Sequence, residues 1–507
     1  MQRRQFLGTT LSVAAAAGTS LVGWAGPSAK VAFRQSLRER AWLQGFATVA
    51  NDRLGAQARI IGTIPADLRG VLYRNGPAKH EIGSLRYRHW FDGDGMVQRF
   101  AIGERGVSHV GRMVLTEKYQ SELTSGRAQY PGFDTEVAGA NPVTEPDDVN
   151  TGNISVLHHG GRLFALWEAG SAWELDPKTL QTRGKHTFSA ETAGAPFSAH
   201  PRQEPNGAVW NFGYSSQAGA LVIWHLDANC RLKNVSVVPV KPMGMPHDFV
   251  VTERFIVIPI APFHFQPDQT HGSFLERHRW NQHLPTRIVV IEKSDLRKHR
   301  WFELPAHWAF HFGNGWNDKN GVIHFDGAVA KQPDTMTDFG RQVMLGLTPS
   351  QQVPNVHMRF TLDTRSGRAH WQPLVDRYLD SEFPVIDPRV VGKRNRRLVL
   401  LRREPSQHHP LFTHVTALDT VREHLDEYQY PTHQIPEEHL FVPKPASTLE
   451  SDGWLIGTAL DYREQRTILN IFDAMRLSDG PVATAQLPYV IPFGFHGKFV
   501  ATDVVHG

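Results

Sequence analysis

Short apolar runs recur along the chain from about residue 60 to the C-terminus. Examples are "RLFALWE", "LVIWHL", "RFIVIPI", "RIVVIEK", "RLVLL" and "TILNIF". Gly, Pro and Asp separate these runs, and the apolar spacing of an amphipathic helix is scarce between them. Runs of this length that are rich in Val, Ile and Phe and bounded by turn residues are typical of β-strands. The pattern therefore predicts an all-β fold.

One hairpin pattern repeats along the chain: an apolar strand ends in an acidic residue, a polar turn follows, and another strand begins. The acidic residues that mark this turn are Asp176, Asp227, Glu292, Asp363, Asp419 and Asp473, and Gly103 holds the same place in an earlier, degenerate copy. The six acidic markers are 51, 65, 71, 56 and 54 residues apart. A repeat of this length with about four short strands is typical of a β-propeller blade. Seven copies predict a seven-bladed propeller, which would occupy residues 30–507 as one domain.

Each acidic marker is followed, after a nearly constant interval, by a histidine or a glutamate. The intervals are 24, 20, 19 and 23 residues to four histidines, and 19 residues to each of two glutamates. These six residues are His200, His247, His311, His496, Glu382 and Glu438. In a propeller, the chain after an outer hairpin crosses to the innermost strand of the next blade. We therefore expect four imidazoles and two carboxylates to converge on the central axis.

Four neutral imidazoles suit a divalent ion such as iron, copper or zinc. A closed tetrahedral set of four histidines would fit structural zinc, whereas octahedral Fe(II) would keep two positions open for oxygen and substrate. Metal-bound histidines usually donate their other ring N–H to a carboxylate, a role that Glu382 and Glu438 could fill. Glu168 is the candidate for a third such carboxylate. Two other acidic motifs carry less weight: "HFD" at 324–326 lacks further ligands, and "FDGDGM" at 91–96 is expected to form an Asp-Gly hairpin.

Composition and the N-terminus limit the class of protein. The 507 residues carry a net charge of +4, and no basic segment with interleaved aromatic residues suggests a nucleic-acid partner. The single cysteine, Cys230, excludes an internal disulfide and a cysteine-rich metal site. Arg3 and Arg4 precede a short apolar stretch, which predicts a twin-arginine export signal at residues 1–29 and a periplasmic or membrane-peripheral location in a bacterium.

Several motifs together resemble the carotenoid cleavage oxygenase family. They are "YRNGP", "HWFDGDGMVQRF", "SAHPR", "PHDFVVTERFIVI", "FHFGN", "EFPVIDPR" and "PFGFHG". The resemblance implies a propeller capped by loops and helices. It also implies one Fe(II) per chain, held by His200, His247, His311 and His496. By the same resemblance Glu168, Glu382 and Glu438 orient His247, His311 and His496 respectively, and His200 has no carboxylate partner.

The family's reaction is dioxygenase cleavage of a conjugated alkene into two carbonyl products, with a lipophilic polyene and O₂ as substrates. Ile154 stands where many members carry a small threonine near the iron. Trp167 stands where stilbene-cleaving members often carry a lysine, which favours a carotenoid or apocarotenoid substrate. The aromatic residues Phe263, Phe265, Phe274 and Trp280 are candidates for a membrane contact.

Three alternatives remain open at this point. The first is a stilbene or phenylpropanoid alkene dioxygenase on the same fold. The second is an isomerohydrolase related to retinoid metabolism, which would use the same metal to cleave an ester. The third is a non-catalytic exported propeller that binds a ligand.

Overall fold

A computed structural model describes residues 27–349, 354–375 and 379–502 of the chain. Within these ranges the strands form seven antiparallel sheets of four or five strands, together with two short two-stranded ribbons. The seven sheets are the blades of a β-propeller, so the predicted fold class is confirmed. The predicted export signal, residues 1–29, lies outside the described residues except for its last three positions, which begin the helix Pro27–Glu39.

Each blade extends from an innermost strand at the propeller axis to an outermost strand at the surface. From the inside outwards, blade 1 contains Gly497–Ala501, Gly70–Lys79, Asp94–Gly103, Gly106–Met113 and Arg53–Gln57. Blade 2 contains Ser155–His159, Arg162–Leu166, Ala172–Leu175 and Thr182–His186, and blade 3 contains Arg202–Gln203, Val209–Ser215, Ala220–Leu226 and Leu232–Pro239. Blade 4 contains Val250–Val251, Phe255–Ile260, Thr286–Glu292 and Asp295–Leu304, and blade 5 contains Trp308–Asn317, Val322–Ala330, Val356–Asp363 and Ala369–Pro373. Blade 6 contains Ser381–Val385, Arg397–Arg402, His414–Asp419 and His424–Gln429, and blade 7 contains Gln434–Pro443, Gly453–Asp461, Arg466–Asp473, Ala483–Gln486 and Arg59–Gly62.

The two ends of the chain close the ring of blades. The last strand, Gly497–Ala501, pairs with Gly70–Lys79 and becomes the innermost strand of blade 1. Near the N-terminus, Arg53–Gln57 forms the outer edge of blade 1, and Arg59–Gly62 forms the outer edge of blade 7. Hydrogen bonds between distant parts of the sequence therefore hold the ring shut, and the C-terminal strand brings His496 to the axis.

The repeated acidic turn lies between the third and fourth strands of each blade, as the sequence pattern predicts. Asp227 shows why an acidic residue is favoured there, because its Oδ1 accepts the backbone N–H groups of Asn229 and Arg231 at 2.9 and 3.0 Å. Asp363 makes the same kind of turn with the N–H of Arg365 at 2.9 Å. The acidic residue thus stabilises the turn through short-range hydrogen bonds, and the spacing between successive turns reflects the length of one blade.

Apolar residues fill the spaces between neighbouring blades. Phe212 of blade 3, for example, packs with Phe249 and Ile256 of the blade 4 region, and all three are fully buried. Alternate residues of a strand point to opposite faces of its sheet, so each inner blade strand can contact both neighbouring blades.

The N-terminal segment and the connections between strands, within blades as well as between them, carry the helices and ribbons. The helices are Pro27–Glu39, Glu117–Ser125 and Gly340–Met344, with a π-helical turn at Thr335–Phe339 and 3₁₀ turns at Ala41–Phe46, Trp90–Asp92, Pro146–Val149, Ala190–Thr192, Pro388–Val390 and Leu477–Asp479. The ribbons pair Glu81–Ile82 with Leu85–Arg86, and Phe263–Phe265 with His278–Trp280. Among these described helices, none has the length and apolarity needed to cross a membrane.

The expectation of an Asp-Gly hairpin at residues 91–96 was wrong. The segment ends the 3₁₀ turn Trp90–Asp92 and then enters the blade 1 strand Asp94–Gly103. Asp94 is fully buried and accepts a hydrogen bond from Nζ of Lys118 at 3.0 Å. Its carboxylate therefore fixes the helix Glu117–Ser125 against blade 1, a tertiary role that the local Asp-Gly pattern does not reveal.

Candidate metal centre

The four predicted histidines meet on the propeller axis. His200, His247 and His496 lie within three residues of the first residue of the innermost strands of blades 3, 4 and 1, and His311 lies within the innermost strand of blade 5. Each offers one ring nitrogen to a cluster in which these atoms all lie within 4.8 Å of one another. The Nε2 atoms of His200 and His247 are 2.9 Å apart. Residues that are almost 300 positions apart in the sequence thus lie close enough together to bind one metal ion.

Three of the four rings contact a buried carboxylate through the other ring nitrogen. Nδ1 of His311 is 2.6 Å from Oε2 of Glu382, and Nδ1 of His496 is 2.8 Å from Oε1 of Glu438. The third carboxylate, Glu168, lies 3.2 Å from Nδ1 of His247. These are the three pairs that the family resemblance implies. Within the described ranges no hydrogen bond joins the ring of His200 to a carboxylate, which also agrees with it.

The carboxylates determine which nitrogen of each ring carries the proton. An ionised carboxylate only accepts hydrogen bonds, so Nδ1 of His311 and of His496 must donate. Glu168 lies within ion-pair distance of Nδ1 of His247, but no hydrogen bond joins the two among the described contacts. Nε2 of each neutral ring then carries a lone pair that points into the cluster. Nε2 of His311 is buried and has no hydrogen-bond partner among the described residues. A buried nitrogen without a partner is costly, and a metal ion at the centre of the cluster would bind it.

The charges around the centre favour a cation. Burial and the neighbouring imidazoles hold the pKa of His200 well below its ordinary value, so this ring is neutral. Burial lowers the pKa of His311 too, but the Glu382 carboxylate outweighs it and raises that pKa above its ordinary value. Burial raises the pKa of Glu438, yet contact with His496 and Arg74 outweighs it and leaves Glu438 more acidic than usual. Three buried carboxylates beside the four imidazoles therefore form a site whose negative charge a dication would offset.

Two of the glutamates also fix the backbone beside the centre. Oε2 of Glu438 accepts the N–H of Gly497 at 2.8 Å, directly after the ligand His496. Oε2 of Glu382 accepts the N–H of Phe383 at 2.7 Å. Each of these carboxylates thus holds a histidine ring and a backbone segment at once, which limits the freedom of both.

Ile154 and Trp167 occupy different surroundings. Ile154 immediately precedes the innermost strand of blade 2, and its carbonyl accepts the N–H of His496 at 3.3 Å. This contact places the backbone of Ile154 next to a metal-ligand candidate; the role of its side chain in access to the centre stays a prediction. Trp167 lies beside Glu168 in the turn after the second strand of blade 2, where its ring covers Gly170.

Aromatic residues beside the centre were missed by the sequence analysis. Phe383 stacks on His311 with ring centroids 5.1 Å apart, and it adopts the left-handed backbone region with φ of 53°. That region is unfavourable for a bulky residue and is found mostly where function or packing demands it. Phe310 packs on His247 at 5.1 Å. Phe495 packs on Phe91 at 5.3 Å, and its place directly before His496 is the one sequence signal that could have indicated an aromatic residue near the centre.

The "HFD" motif takes no part in this centre. Oδ1 of Asp326 accepts a hydrogen bond from Nε2 of His357 at 2.7 Å, and His324 stacks on Trp316 at 4.0 Å between ring centroids. Both contacts lie within blade 5 and account for these side chains without a metal.

A seven-bladed propeller with four axial histidines, three of them held by carboxylates, defines a class of mononuclear metal protein. Residues 46–501 match the family model described as retinal pigment epithelial membrane protein. This match covers most of the chain, and the protein therefore belongs to the carotenoid cleavage oxygenase family, as the motifs indicated.

Characterised relatives and solved structures support the same conclusion. The chain is 28% identical to an apocarotenoid-15,15'-oxygenase of Synechocystis sp., over 92% of this chain and 98% of that protein. It is 26% identical to an isoeugenol monooxygenase of Pseudomonas putida, over 86% and 93% of the two chains. It is also 26% identical to a lignostilbene-alpha,beta-dioxygenase of Sphingomonas paucimobilis, over 86% and 92%. The crystal structure of cobalt-substituted apocarotenoid oxygenase from Synechocystis superposes with a TM-score of 0.81 at 26% identity, and covers 91% of this chain and 98% of that one.

The family membership makes the protein an oxygenase and sets aside the non-catalytic binding propeller. The names of the relatives refer to different substrates. Family membership alone therefore does not decide whether the substrate is a polyene or a phenylpropanoid.

Proposed function

We propose that this protein is an Fe(II)-dependent dioxygenase that cleaves a conjugated C=C bond of a carotenoid or apocarotenoid into two carbonyl products. The observation that carries the proposal is the cluster of His200, His247, His311 and His496, whose ring nitrogens lie within 4.8 Å of one another. Four neutral nitrogen donors without a cysteine fit iron, and each chain would bind one ion.

The bound iron would supply the activation of O₂ that lets oxygen add across an alkene. The protein's own groups position the reactants and exclude water. Glu382 and Glu438 hold the rings of His311 and His496 with their lone pairs facing inwards, and Glu168 lies 3.2 Å from Nδ1 of His247. Phe310, next to His247, offers an apolar surface on which a flat conjugated chain can lie.

The choice of a polyene rests on the row of aromatic rings that leads from the protein surface to the centre. Phe274, Phe133, Phe91 and Phe310 follow one another with ring centroids 5.9, 5.8 and 6.3 Å apart. A long apolar substrate can lie along such a row, whereas a single phenol ring needs only part of it. Trp167, at the place of the lysine that often occurs in stilbene-cleaving members, supports the same choice.

Isotope labelling tests the reaction. Iron-loaded protein with ¹⁸O₂ and an apocarotenal is expected to place label in both new carbonyl groups, read by mass spectrometry before the aldehydes exchange with water. Label in only one product would make the reaction a monooxygenation. A cleaved hydroxystilbene or isoeugenol beside an unreacted apocarotenal would move the assignment to the phenylpropanoid branch, and ester cleavage without label would support the isomerohydrolase.

Metal analysis tests the cofactor. We expect about one iron per chain in active protein, and turnover that is lost after chelation and restored by Fe(II) under anaerobic loading. A wild-type protein that holds one zinc per chain and stays inactive after iron loading would contradict the proposal.

Membrane contact belongs to the proposal in a narrower form than the sequence suggested. Of the four aromatic candidates, Phe274 is 37% exposed, Phe265 and Trp280 are half-buried, and Phe263 is buried and packs on Trp308. Phe274 is therefore the most exposed apolar group of the four that could touch a lipid surface from which a polyene is drawn. The test compares the binding of wild type and Phe274→Ser to phospholipid vesicles. The variant is expected to bind more weakly.

Export to the periplasm is proposed from the paired arginines at the N-terminus. Replacement of Arg3 and Arg4 by lysine is expected to leave folded precursor in the cytoplasm, as cell fractionation of a bacterial host would reveal. Normal delivery of this double variant to the periplasm would argue against the twin-arginine route.

A further inference from the structure

A buried carboxylate outside the metal centre joins three segments that are far apart in the sequence. Asp134 is 0% exposed and accepts two hydrogen bonds from Arg341, from Nε and from Nη2, both at 2.6 Å. Oγ of Ser273 donates to the same carboxylate at 2.7 Å, and Nε of Arg88 lies 3.3 Å from it. Together with Glu276, these residues form a group that we call the Asp134 clamp.

The charges of the clamp balance. Glu276 lies 2.8 Å from Nη2 of Arg88 and 3.6 Å from Nη2 of Arg341, so two carboxylates face two guanidinium groups. The contact of Arg341 with both oxygens of Asp134 is bidentate, and such contacts are geometrically specific as well as strong. Loss of the charge on Asp134 would leave two cations facing one partly exposed carboxylate.

The clamp holds the outer part of the aromatic row. Phe133 directly precedes Asp134, and its carbonyl accepts the N–H of Leu275 at 3.0 Å. Phe274 directly follows Ser273, and its ring lies 5.9 Å from that of Phe133. The two outermost rings of the row are therefore each one residue away from a member of the clamp.

A second buried carboxylate connects the clamp to the inner part of the row. Oδ1 of Asp92 accepts the N–H of Asp134 at 3.0 Å, and Oδ2 accepts the hydroxyl of Thr135 at 2.5 Å. Asp92 follows Phe91, which packs on both Phe133 and Phe310. Movement of the Asp134 loop would therefore change the distance between the surface rings and those at the metal centre.

We infer that Asp134 is a positioning residue that sets how far a long substrate enters, and hence which double bond reaches the metal centre. The inference rests on the proposed function for the identity of the substrate, but not for the existence of the clamp. Asp134 touches neither the metal-ligand histidines nor their carboxylates in any described contact, so its effect is expected on substrate placement rather than on metal binding.

The test compares Asp134→Asn with Asp419→Asn in iron-loaded protein. Asp419 is a matched control, because it is also buried and accepts two hydrogen bonds from one guanidinium, that of Arg396, in the outer hairpin of blade 6. Hydrogen–deuterium exchange is expected to become at least about tenfold faster in both segments 127–137 and 270–282 of Asp134→Asn. Asp419→Asn is expected to leave these two segments unchanged.

Substrate binding and product analysis then measure the positioning role. Quenching of tryptophan fluorescence by an apocarotenal is expected to report a Kd about tenfold higher in Asp134→Asn, the loss expected from two displaced aromatic contacts. Iron content is expected to be unchanged, and cleavage is expected to yield additional products from neighbouring double bonds.

Several outcomes would overturn the inference. They are unchanged exchange in the two segments, a wild-type Kd with a wild-type product pattern, or the same shift of products in Asp419→Asn. A wild-type protein that cleaves no polyene would overturn the proposed function instead, and the exchange and binding measurements would still decide on the clamp.

Discussion

Two regions of the molecule, the metal centre and the cap, are built in different ways. The cap is the group of segments around Phe91, Asp134, Ser273 and Arg341. Every histidine of the centre comes from the start of a blade, at an equivalent place in the repeat, and carboxylates of neighbouring blades hold His311 and His496. The cap consists of inserted segments joined by ion pairs such as Asp134 with Arg341. The repeating blades thus position the histidines of the centre, whereas contacts outside the repeat hold the residues of the proposed substrate entrance. The difference teaches that ligand positions and substrate positions can change independently in this molecule.

The two regions should also respond differently to substitution. In the centre, each ring is a candidate ligand, and a carboxylate near it loses its partner when the ring is removed. In the cap, an aromatic ring contributes a contact of about 0.5–1.5 kcal/mol beyond its burial. We therefore expect complete loss of function when a candidate ligand is removed from the centre, and small, graded effects in the cap.

The largest effect is expected for His311→Ala. This change removes one metal ligand and leaves Glu382 buried without its ring partner, so iron retention and turnover should both be lost. His324→Ala is the control in the same blade, since the described contacts of His324, with Trp316 and Thr361, lie within blade 5 and away from the centre. Metal analysis and a cleavage assay measure the two variants. Full iron content in His311→Ala, or loss of iron in His324→Ala, would contradict the assignment of the centre.

A smaller effect is expected for Glu382→Gln and Glu438→Gln. Each change keeps the shape of the side chain but removes the charge that orients a histidine, and losses of about 10–100-fold in metal affinity or activity are typical. Glu427→Gln serves as the control, because Glu427 pairs with Arg402 in the outer part of blade 6. Iron affinity from competition with a chelator measures the effect. Wild-type affinity and turnover in both test variants would show that these carboxylates do not support the ligands.

The smallest effect is expected for Phe133→Leu in the cap. The change removes a ring from the aromatic row while it keeps apolar bulk, so KM for an apocarotenal should rise about two- to tenfold without a change in iron content. Phe188→Leu is the control, as Phe188 packs on Phe197 and Trp224 away from the row. Steady-state kinetics measure both. A loss of iron in Phe133→Leu would mean that the cap and the centre are not independent.

Much of the centre could be predicted from the sequence because local signals repeat. Asp227 and Asp363 mark their turns through short-range hydrogen bonds, and such contacts depend only on a few neighbouring residues. Once the turns are located, the interval to the next inner strand follows from the length of a blade. The blade spacing and the family motifs thus bring His311 and Glu382 together although 71 residues separate them, and the structure places them 2.6 Å apart.

The cap could not be predicted in the same way. Nothing near Asp134 in the sequence points to Arg341, and the carboxylate could equally have been a solvated loop residue. The hairpin expected at "FDGDGM" was wrong for the same reason, because Asp92 and Asp94 bind the distant partners Thr135 and Lys118. The local turn that Asp92 does support is the 3₁₀ turn Trp90–Asp92, where its carboxylate accepts the N–H of His89. Ion pairs between inserted segments depend on where whole blades place those segments.

The sequence by itself determined the number of blades, the turns between their outer strands and the set of residues that faces the axis. These features follow from side-chain alternation and from turn chemistry, both of which act over a few residues. The tertiary structure alone decided which ring nitrogen faces the metal, that Phe383 stacks on His311, and that Asp134 joins three segments of the cap. Each of these depends on side chains that meet only after the ring of blades has closed, since contact between distant residues is set by the packing of the whole chain.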